Sequence, residues 1–364
     1  MTTQTRSKAI ATPRVRVDRA EARRWGRSAL ILGGLSVALA VVALLALMVG
    51  PEYVSPASVL GMALQGLPVH PARAWSDTDV AIITQLRLPR MWTAAMVGAA
   101  LAATGTAFQA LFRNPLADPG IIGTSAGASV GAIVAFVLPV QGAFLGFGLV
   151  PLAAFVGALA ATLFVYALAR VGGRLPSTTL LLAGFAVSSI LDAAAALVET
   201  LSDQLRQMYT WLLGSVAYNT GEQLVVAAPL LILGVLGLLA LSGDLNVLTL
   251  GDEQAHYLGL RVTQRRVLIL MLGALLTSVA VALGGLIALV GLLVPHIARL
   301  LVGANHRLLL PASLLIGAIF LLVVDMAARM LLQPQELPVG IITALIGAPW
   351  FLVLLRRKRG EYTF

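Results

Sequence analysis

The chain has 364 residues, of which 59% are hydrophobic and only 11% are charged. Because charged residues usually make up about 25% of a globular chain, this composition excludes a soluble domain and indicates that a lipid bilayer surrounds most of the protein. The absence of cysteine excludes disulfide bonds and thiolate metal sites.

Long apolar runs follow a polar, basic segment at residues 1–27, which we interpret as a cytoplasmic tail. The first run, 28–50, is too long for a signal-peptide core and lacks a clear cleavage site, so it predicts a retained transmembrane helix. A helix needs roughly 20 apolar residues to cross the hydrocarbon, and the runs do not alternate as β-barrel strands do. We therefore predict an all-α polytopic membrane protein with about ten transmembrane helices. The predicted spans are 28–50, 87–111, 120–139, 147–170, 178–200, 224–242, 264–288, 290–301, 309–332 and 338–355.

Basic residues predict the orientation, since Lys and Arg collect on the cytoplasmic side of a membrane. Eight of them precede the first span and four follow the last, which places both termini in the cytoplasm. This gives one transmembrane domain at 28–356 and a short cytoplasmic tail at 357–364. The predicted inner connections hold Arg113, Arg170, Arg174, Arg261, Arg265, Arg266, Arg299 and Arg307. The predicted outer segments hold Arg73, Arg87, Arg90, Arg206 and Arg329.

Two connections between the predicted spans are long. Residues 51–86 lie on the predicted outer side and contain several prolines. Residues 243–263 lie on the inner side, read GDLNVLTLGDEQAHYLGLRVT, and predict short helices. In the third span, small residues at Gly123, Gly127 and Gly131 favour close helix packing. Pro295 predicts that the seventh and eighth spans are short or irregular.

Residues that enzymatic chemistry needs are missing from the sequence. A phosphate-binding loop requires a lysine after its glycines, whereas the two lysines, Lys8 and Lys358, lie in the basic tails. No histidine pair has the helical spacing of metal ligands, and no serine lies in a nucleophile elbow. We therefore expect no ATP site, metal or cofactor in this chain, which leaves transport or signalling as its function.

Few ionisable residues fall inside the predicted spans, and such residues are functional candidates. Asp192 and Glu199 are seven positions apart in the fifth span, so they share one face of the helix. At 1.5 Å per residue, Asp192 lies about 21 Å and Glu199 about 31 Å from Thr178 at the inner end. Because the hydrocarbon is about 30 Å thick, only Asp192 lies clearly within it. Two interpretations stay open: a polar strip along a translocation path, or a helix end that emerges into water.

Three stretches carry a family resemblance. Residues 87–120 read RLPRMWTAAMVGAALAATGTAFQALFRNPLADPG, residues 284–299 read GGLIALVGLLVPHIAR, and residues 325–349 read DMAARMLLQPQELPVGIITALIGAP. In order and spacing these closely resemble the FecCD family of importer permeases, and the resemblance covers residues 30–356. Members of this family move ferric siderophores, haem or vitamin B12 across the bacterial inner membrane.

The resemblance implies a homodimer of ten-helix subunits with the translocation pathway on its axis. It also implies two ATP-binding-cassette subunits on the inner side, which bind ATP and Mg²⁺, and a periplasmic or surface-tethered substrate-binding protein outside. The chain is then a transport subunit of the bilayer that binds no cofactor itself and has no nucleic-acid partner.

The family's docking arginines correspond to Arg87, Arg90 and Arg329, which stand against the positive-inside trend. In the family such residues meet glutamates on the binding protein, and outward-facing guanidinium groups suit bidentate pairing with carboxylates. The alternatives are snorkelling at the lipid interface and, for Arg329, a pair with Asp325 four residues earlier.

The inner segment 243–263 resembles the family's coupling helices, which dock on the ATPase subunits. Its core reads GDEQAHYLGL and matches the family pattern of a glycine, an acidic residue, small residues and then leucine–glycine. The contact candidates are Gly251, Glu253, Ala255, Leu258 and Gly259.

Two inner connections resemble the cytoplasmic gate of the family. Asn114 and Leu116 lie within RNPLADPG, and Ser177 and Thr178 lie at the start of the fifth span. Ser177 also suits a helix N-cap, and both roles are compatible.

The substrate stays open between an iron chelate, either a ferric siderophore or haem, which we rank first, and cobalamin. A rival from another class is an ion-coupled secondary transporter, whose uptake survives without an ATPase and collapses with the proton gradient. A membrane scaffold or sensor subunit would show no substrate flux at all.

Overall fold

The computed structural model describes residues 19–65, 75–140, 142–173 and 175–357, which are mostly α-helical. The predicted tails lie outside the described residues at 1–18 and 358–364, as do Arg73 and Arg174. Helix α1 begins at Arg19, within the segment that we interpreted as a tail. The Ala, Glu and Arg residues of this segment have high helix propensity, so the helix of the first span extends into it.

The described residues form fifteen α-helices and one short hairpin. In chain order, the helices are α1 (Arg19–Met48), α2 (Pro56–Leu64), α3 (Asp77–Ala81), α4 (Leu88–Leu111), α5 (Thr124–Val137), α6 (Leu149–Ala169), α7 (Ser177–Thr200), α8 (Leu205–Leu212), α9 (Gly221–Ala240), α10 (Ser242–Leu248), α11 (Asp252–Tyr257), α12 (Val262–Gly284), α13 (Val290–Val302), α14 (His306–Met330) and α15 (Val339–Arg357). Strands β1 (Ala143–Phe144) and β2 (Phe147–Gly148) pair antiparallel between α5 and α6.

Among the described residues, seven helices are long and apolar enough to cross a membrane, and three shorter apolar helices lie where other spans were predicted. The all-α polytopic membrane fold is therefore confirmed, while ten crossings and two cytoplasmic termini stay predictions. We call the end of the bundle that carries α2 and α8 the outer end, and the end that carries α10 and α11 the inner end. The long segments are Gly26–Met48, Asp77–Leu111, Leu149–Ala169, Ser177–Thr200, Gly221–Ala240, Val262–Gly284 and His306–Met330.

Helices α3 and α4 form one continuous rod through a wider π-helical segment, Ile82–Arg87. The rod starts at a capping box, in which Ser76 and Asp79 satisfy each other's backbone N–H groups. A proline inside a regular α-helix clashes with the carbonyl four residues earlier. The wider turn directly before Pro89 accommodates its ring and ends on Arg87.

Small residues let the central helices approach closely. A Cβ atom at Gly98 of α4 would overlap the carbonyl oxygen of Gly317 in α14, and one at Gly105 would overlap that of Gly291 in α13. Such contacts are how helices pack in lipid, where the bilayer supplies no hydrophobic force between them. Helix α4 is thus the buried centre of the bundle.

The predicted glycine contacts of the third span are confirmed for Gly127 and Gly131, which pack on the α6 backbone at Gly157 and Ala153. Gly123 differs, because it precedes α5 with a left-handed φ of 85° and caps the turn that enters the helix.

Helix α12 is 23 residues long, so the prediction of a short seventh span is wrong. The eighth span is short as predicted, but Pro295 lies inside the 13-residue α13 rather than breaking it. As the sixth residue of α13 it removes one intrahelical hydrogen bond, and the carbonyl oxygen of Gly291 that loses this donor accepts a hydrogen bond from Gln109 Nε2 at 3.4 Å instead.

Three irregular segments meet beside α8 and satisfy each other's backbone groups. The N–H of Ser215 donates to Gly284 O at 2.8 Å, while Val339 and Gly340 donate to Gly214 O at 3.0 Å and Leu213 O at 3.1 Å. Non-helical backbone is tolerated at membrane depth only where protein or a water-filled cavity covers it. This junction therefore ties α8, α12 and α15 together without exposing polar backbone to lipid.

Candidate functional site

Arg87 points into the protein and binds the outer end of α1. Its Nη1 donates to the carbonyl oxygens of Leu47 at 2.8 Å and Met48 at 2.9 Å, and its Nη2 donates to Glu52 O. The last four carbonyl groups of a helix have no partner within that helix. Arg87 thus supplies donors to the C-terminus of α1 and holds it against the α3–α4 rod.

Arg329 of α14 binds the same helix end from another direction. Its Nη1 donates to Val49 O at 2.9 Å and its Nη2 to Ala46 O at 3.2 Å. A cation near a helix C-terminus also complements the negative end of the helix dipole. The outer end of α1 is therefore fixed by guanidinium groups from two other helices.

A buried carboxylate joins the arginines of α4 and α14. Asp325 is 1% exposed, accepts a hydrogen bond from Arg90 Nε at 2.8 Å and lies 3.3 Å from Arg329 Nε. Arg90 also pairs at 2.8 Å with Glu336, whose side chain is 42% exposed. This cluster holds two cations beside two carboxylates, one buried and one at the surface.

The structure changes what can be expected of the three predicted docking residues. Arg87 and Arg329 are only 6% and 5% exposed, so the expectation of outward-facing guanidinium groups is wrong for these two. The alternative pairing of Arg329 with Asp325 is confirmed. All three arginines nevertheless line a cavity of about 420 Å³ at the outer end. Docking stays a prediction, and it requires that incoming carboxylates compete with the partners described above.

Helices α10 and α11 at the inner end confirm the prediction of short helices in 243–263. Of the contact candidates there, Glu253, Leu258 and Gly259 are exposed, and Gly251 is half-buried. Ala255 is fully buried and packs α11 onto the bundle, so it does not belong to the exposed side. Leu258 is 65% exposed, so its apolar side chain is available for contact with another protein.

The most connected residue of this segment was absent from the predicted site. Asp252, the first residue of α11, binds Arg113 at 2.9 Å and Arg266 at 2.7 Å through Oδ1. No sequence signal indicated this, because Arg113 lies far away in the chain and an acidic residue in an amphipathic segment is ordinary.

The first predicted gate segment forms a tight turn after α4. The side chain of Asn114 accepts a hydrogen bond from the N–H of Leu116 at 2.9 Å, as in an Asx turn. Leu116 is 36% exposed. Next to it, withdrawal from solvent raises the pKa of the Asp118 carboxyl, although the N–H of Gly120 donates to it. The segment is thus compact and internally bonded.

The second predicted gate segment starts α7. Pro176 occupies the N-cap, no side chain caps this helix end, and Ser177 is its first helical residue. The N-cap interpretation of Ser177 is therefore wrong by one position, while Thr178 is exposed. The two gate segments meet indirectly, because the 3₁₀ turn Pro119–Ile122 packs on α7 at Gly184.

Helix α7 packs through one face and leaves the rest uncovered. Asp192 is exposed and Glu199 is half-buried on one side of the helix, together with the exposed Ser189. The helix runs without interruption from Ser177 to Thr200, so the predicted shared face of the two carboxylates is confirmed. In the described residues, no group of three or more possible ligands could hold a metal ion.

A polytopic helical bundle with an exposed ionisable residue on a long apolar helix and an exposed short helix at its inner end is typical of a membrane transport subunit. The sequence profile of the FecCD transport family matches residues 38–357, and the chain belongs to this family. It is a multi-pass permease of the ATP-binding-cassette importer class.

Individual relatives carry several substrate names. The chain is 44% identical over 283 residues to the cobalamin import system permease protein of Halobacterium salinarum, covering 78% of this chain and 75% of that protein. It is 43% identical over 298 residues to the hemin transport system permease protein of Yersinia pestis, covering 79% and 86%. A solved metal-chelate type transporter in an inward-facing conformation is 34% identical, with a TM-score of 0.76 over 90% of this chain and 99% of that one.

Proposed function

We propose that this chain forms, with a second copy of itself, the translocation path of an ATP-driven importer for a metal chelate. The observation that carries the proposal is the exposed Asp192 on membrane-spanning α7. An ionisable side chain at this depth is costly when it faces lipid. A water-filled path between two copies of α7 removes that cost and covers a helix that one chain leaves largely bare.

The sides of α7 differ in a way that supports this arrangement. Asp192 lies about 21 Å from the inner end of the helix, and Ile190 lies at nearly the same depth but about 160° away around the axis. Ile190 is 68% exposed in the single chain. We assign the side of Asp192 and Ser189 to the water-filled path and the side of Ile190 to apolar surroundings.

Single cysteines provide the test, because the natural chain contains none. In membranes that hold the assembled importer, Asp192→Cys is expected to react with a charged, water-soluble thiol reagent, since the thiolate forms only where water reaches it. Ile190→Cys is the matched control at equal depth and is expected to stay unlabelled over the same time. Equal labelling of the two cysteines would overturn the assignment of the path to this side of α7.

Relatives and geometry support the substrate only as a class. Permeases named for hemin and for cobalamin are similar to this chain to the same degree, and another at 39% identity is named for iron(III) citrate. We keep an iron chelate first and cobalamin as the alternative, and the relatives support the two equally. All of these substrates are large metal complexes, so they require a wide path.

The proposal includes an ATPase subunit at the inner end and a binding protein at the outer end. We propose that the ATPase contacts the exposed side of α11 and its flank, at Glu253, Leu258 and Gly259, while the buried Ala255 only positions the helix. The arginine cavity at the outer end remains the proposed docking region for the binding protein.

Reconstitution in liposomes tests the function as a whole. With the partner ATPase and binding protein present, uptake of ferric siderophore, haem or cobalamin is expected to require ATP and to continue when an ionophore dissipates the proton gradient. Uptake that instead needs the gradient and not ATP would support the ion-coupled carrier. Absence of flux for all three compounds would contradict the metal-chelate proposal.

A further inference from the structure

A single carboxylate at the inner end binds two arginines from different parts of the chain. Asp252 Oδ1 accepts hydrogen bonds from Arg113 Nη2 at 2.9 Å and from Arg266 Nη2 at 2.7 Å. Arg113 follows α4, whereas Arg266 lies in the second turn of α12. Because Asp252 is the first residue of α11, both bonds join this exposed helix to other elements.

Each arginine leads from Asp252 toward one of the two predicted gate segments. Arg113 immediately precedes Asn114. Arg266 donates through Nη1 to the carbonyl oxygen of Leu175 at 3.1 Å, directly before the start of α7, and is only 5% exposed. The path of contacts therefore runs from α11 to both predicted gate segments, and the arginine of its second branch is buried.

The backbone conformation at Gly251 directs the start of α11 toward Arg113 and Arg266. Gly251 has a φ of 113°, a conformation that residues with a side chain rarely adopt. A Cβ atom there would lie 3.4 Å from Arg113 Nη1, which is an ordinary contact, so the positive φ rather than lack of space favours glycine. The glycine lets the chain turn sharply into α11 with the carboxylate of Asp252 between the two arginines.

Helix α10 is held by different contacts. Asn246 donates to Asn305 Oδ1 at 2.8 Å and accepts from the N–H of His306 at 2.8 Å, which fixes α10 to the start of α14. Beside α11, in contrast, a cavity of about 680 Å³ separates it from the start of α12 and the chain before α7. Helix α11 therefore has space to shift while α10 stays anchored.

We propose that Asp252 is a positioning residue that transmits movement of α11 to both gate segments through Arg113 and Arg266. The inference rests on the proposed function, in which an ATPase subunit pushes or pulls α11. A carboxylate shared by two guanidinium groups resists separation from either one, since charge-assisted hydrogen bonds are stronger than neutral ones. A displacement of α11 thus moves the chain at Asn114 and at Leu175 together.

The test follows gate movement directly with a single cysteine in the reconstituted complex. Thr178→Cys is exposed on the second gate segment, and its labelling rate by a water-soluble thiol reagent is measured with and without ATP. In this background we expect ATP to change the rate, and we expect Asp252→Asn, which breaks both branches, to abolish most of that change. Arg113→Gln breaks only the branch toward Asn114, so it is expected to lower uptake per ATP hydrolysed while the labelling of Thr178→Cys still responds to ATP through Arg266. In Asp252→Asn, which loses both branches, uptake per ATP hydrolysed is expected to fall further than in Arg113→Gln.

A matched control is available next to this cluster. Arg265 pairs with Asp244 at 3.0 Å and its side chain is 44% exposed, compared with 2.9 Å and 42% for Arg113 and Asp252. Arg265→Gln removes an equivalent surface ion pair that leads to neither gate segment, so it is expected to keep the ATP-dependent labelling. Exposed ion pairs contribute about 0–1 kcal/mol to stability, so Arg113→Gln and Arg265→Gln should fold. Asp252→Asn keeps an oxygen acceptor for the buried Arg266, and its unfolding temperature is compared with that of the unmodified chain. Asp252→Glu, which keeps the carboxylate, is expected to restore the ATP response.

The possible outcomes separate the two proposals. If the unmodified chain shows no ATP-dependent uptake and the Thr178→Cys protein shows no ATP-dependent labelling, the proposed function fails and the inference fails with it. If that protein responds and Asp252→Asn responds equally, only the inference is overturned. A loss of ATP-dependent labelling in Arg265→Gln equal to that in Asp252→Asn would also overturn it, because any surface charge at this end would then have the same effect.

Discussion

Replacing Asp325 by alanine is expected to lower the thermal stability of the purified permease more than any change of a surface charge at the outer end. Asp325 is 1% exposed and serves both Arg90 and Arg329. Without it, two guanidinium groups lose their buried counterion. Breaking a buried ion pair by removing one partner costs about 3–5 kcal/mol. Thermal unfolding in detergent, followed by tryptophan fluorescence, measures the loss.

Glu336→Gln is the control for this prediction. Its side chain is 42% exposed and binds Arg90 from the surface, so its removal should cost no more than about 1 kcal/mol. Arg90→Ala and Asp325→Ala combined should cost less than the sum of the two single changes, since both remove the same pair. A similar small loss for Asp325→Ala and Glu336→Gln would show that the buried carboxylate contributes little to the stability of the outer end.

The same cluster determines how docking can be tested. Substitution of Arg87 or Arg329 removes donors from the outer end of α1, so weaker binding of a partner protein could reflect a disturbed α1 rather than a lost contact. A docking defect is informative only in a variant whose unfolding temperature is preserved. Arg90, which reaches the surface through Glu336, is the better residue for that test.

The membrane helices could be predicted because lipid leaves the backbone few alternatives. A long apolar segment in hydrocarbon must satisfy its own hydrogen bonds, and a helix does so. The fifth predicted span, 178–200, therefore matches α7 at Ser177–Thr200 within one residue. The error at α12 has a different cause, since a proline in the first turns of the following helix was interpreted as a break in both.

The sequence indicated where candidate residues lie along the chain but not what they contact. Family motifs pointed to the inner segment 243–263 and to the three outer arginines, because order along the chain is visible in a sequence. The partner of each charge is not visible: Arg90 meets Asp325 across 235 positions and Arg113 meets Asp252 across 139. A backbone carbonyl, which is the partner of Arg87, leaves no trace in the sequence at all. The burial of Ala255 likewise depends on how α11 lies on the bundle.

Replacing Gly98 by alanine is expected to destabilise the permease by forcing α4 and α14 apart. A Cβ atom at Gly98 would overlap the carbonyl oxygen of Gly317, and one at Gly317 would overlap that of Gly98. Neither obstacle is a side chain that can rotate away, so the helices themselves must shift. Extra atoms in a packed core cost about 1–3 kcal/mol, and a contact between two backbones should lie at the upper end of that range.

Gly34→Ala is the control, because its effect on stability is expected to be neutral or favourable. Gly34 lies on the exposed side of α1 with no other atom within 4 Å of an added Cβ. Alanine is favoured over glycine in a helix by up to about 1 kcal/mol, so this change should leave the unfolding temperature unchanged or raise it. Equal behaviour of Gly98→Ala and Gly34→Ala would contradict the close contact of α4 and α14.

The Gly98→Ala variant should also lose transport beyond its loss of stability. Helix α4 begins near Arg90 at the outer end and ends just before Arg113 at the inner end. Its contact with α14 at Gly98 lies between these two points. Helices α4 and α14 therefore form one rigid unit, which holds Arg90 in the outer ion cluster and is followed directly by Arg113, the partner of Asp252 at the inner end. Separating the helices should misplace Arg113 relative to Asp252. Below its unfolding temperature, the variant should therefore take up less substrate per ATP hydrolysed than Gly34→Ala does.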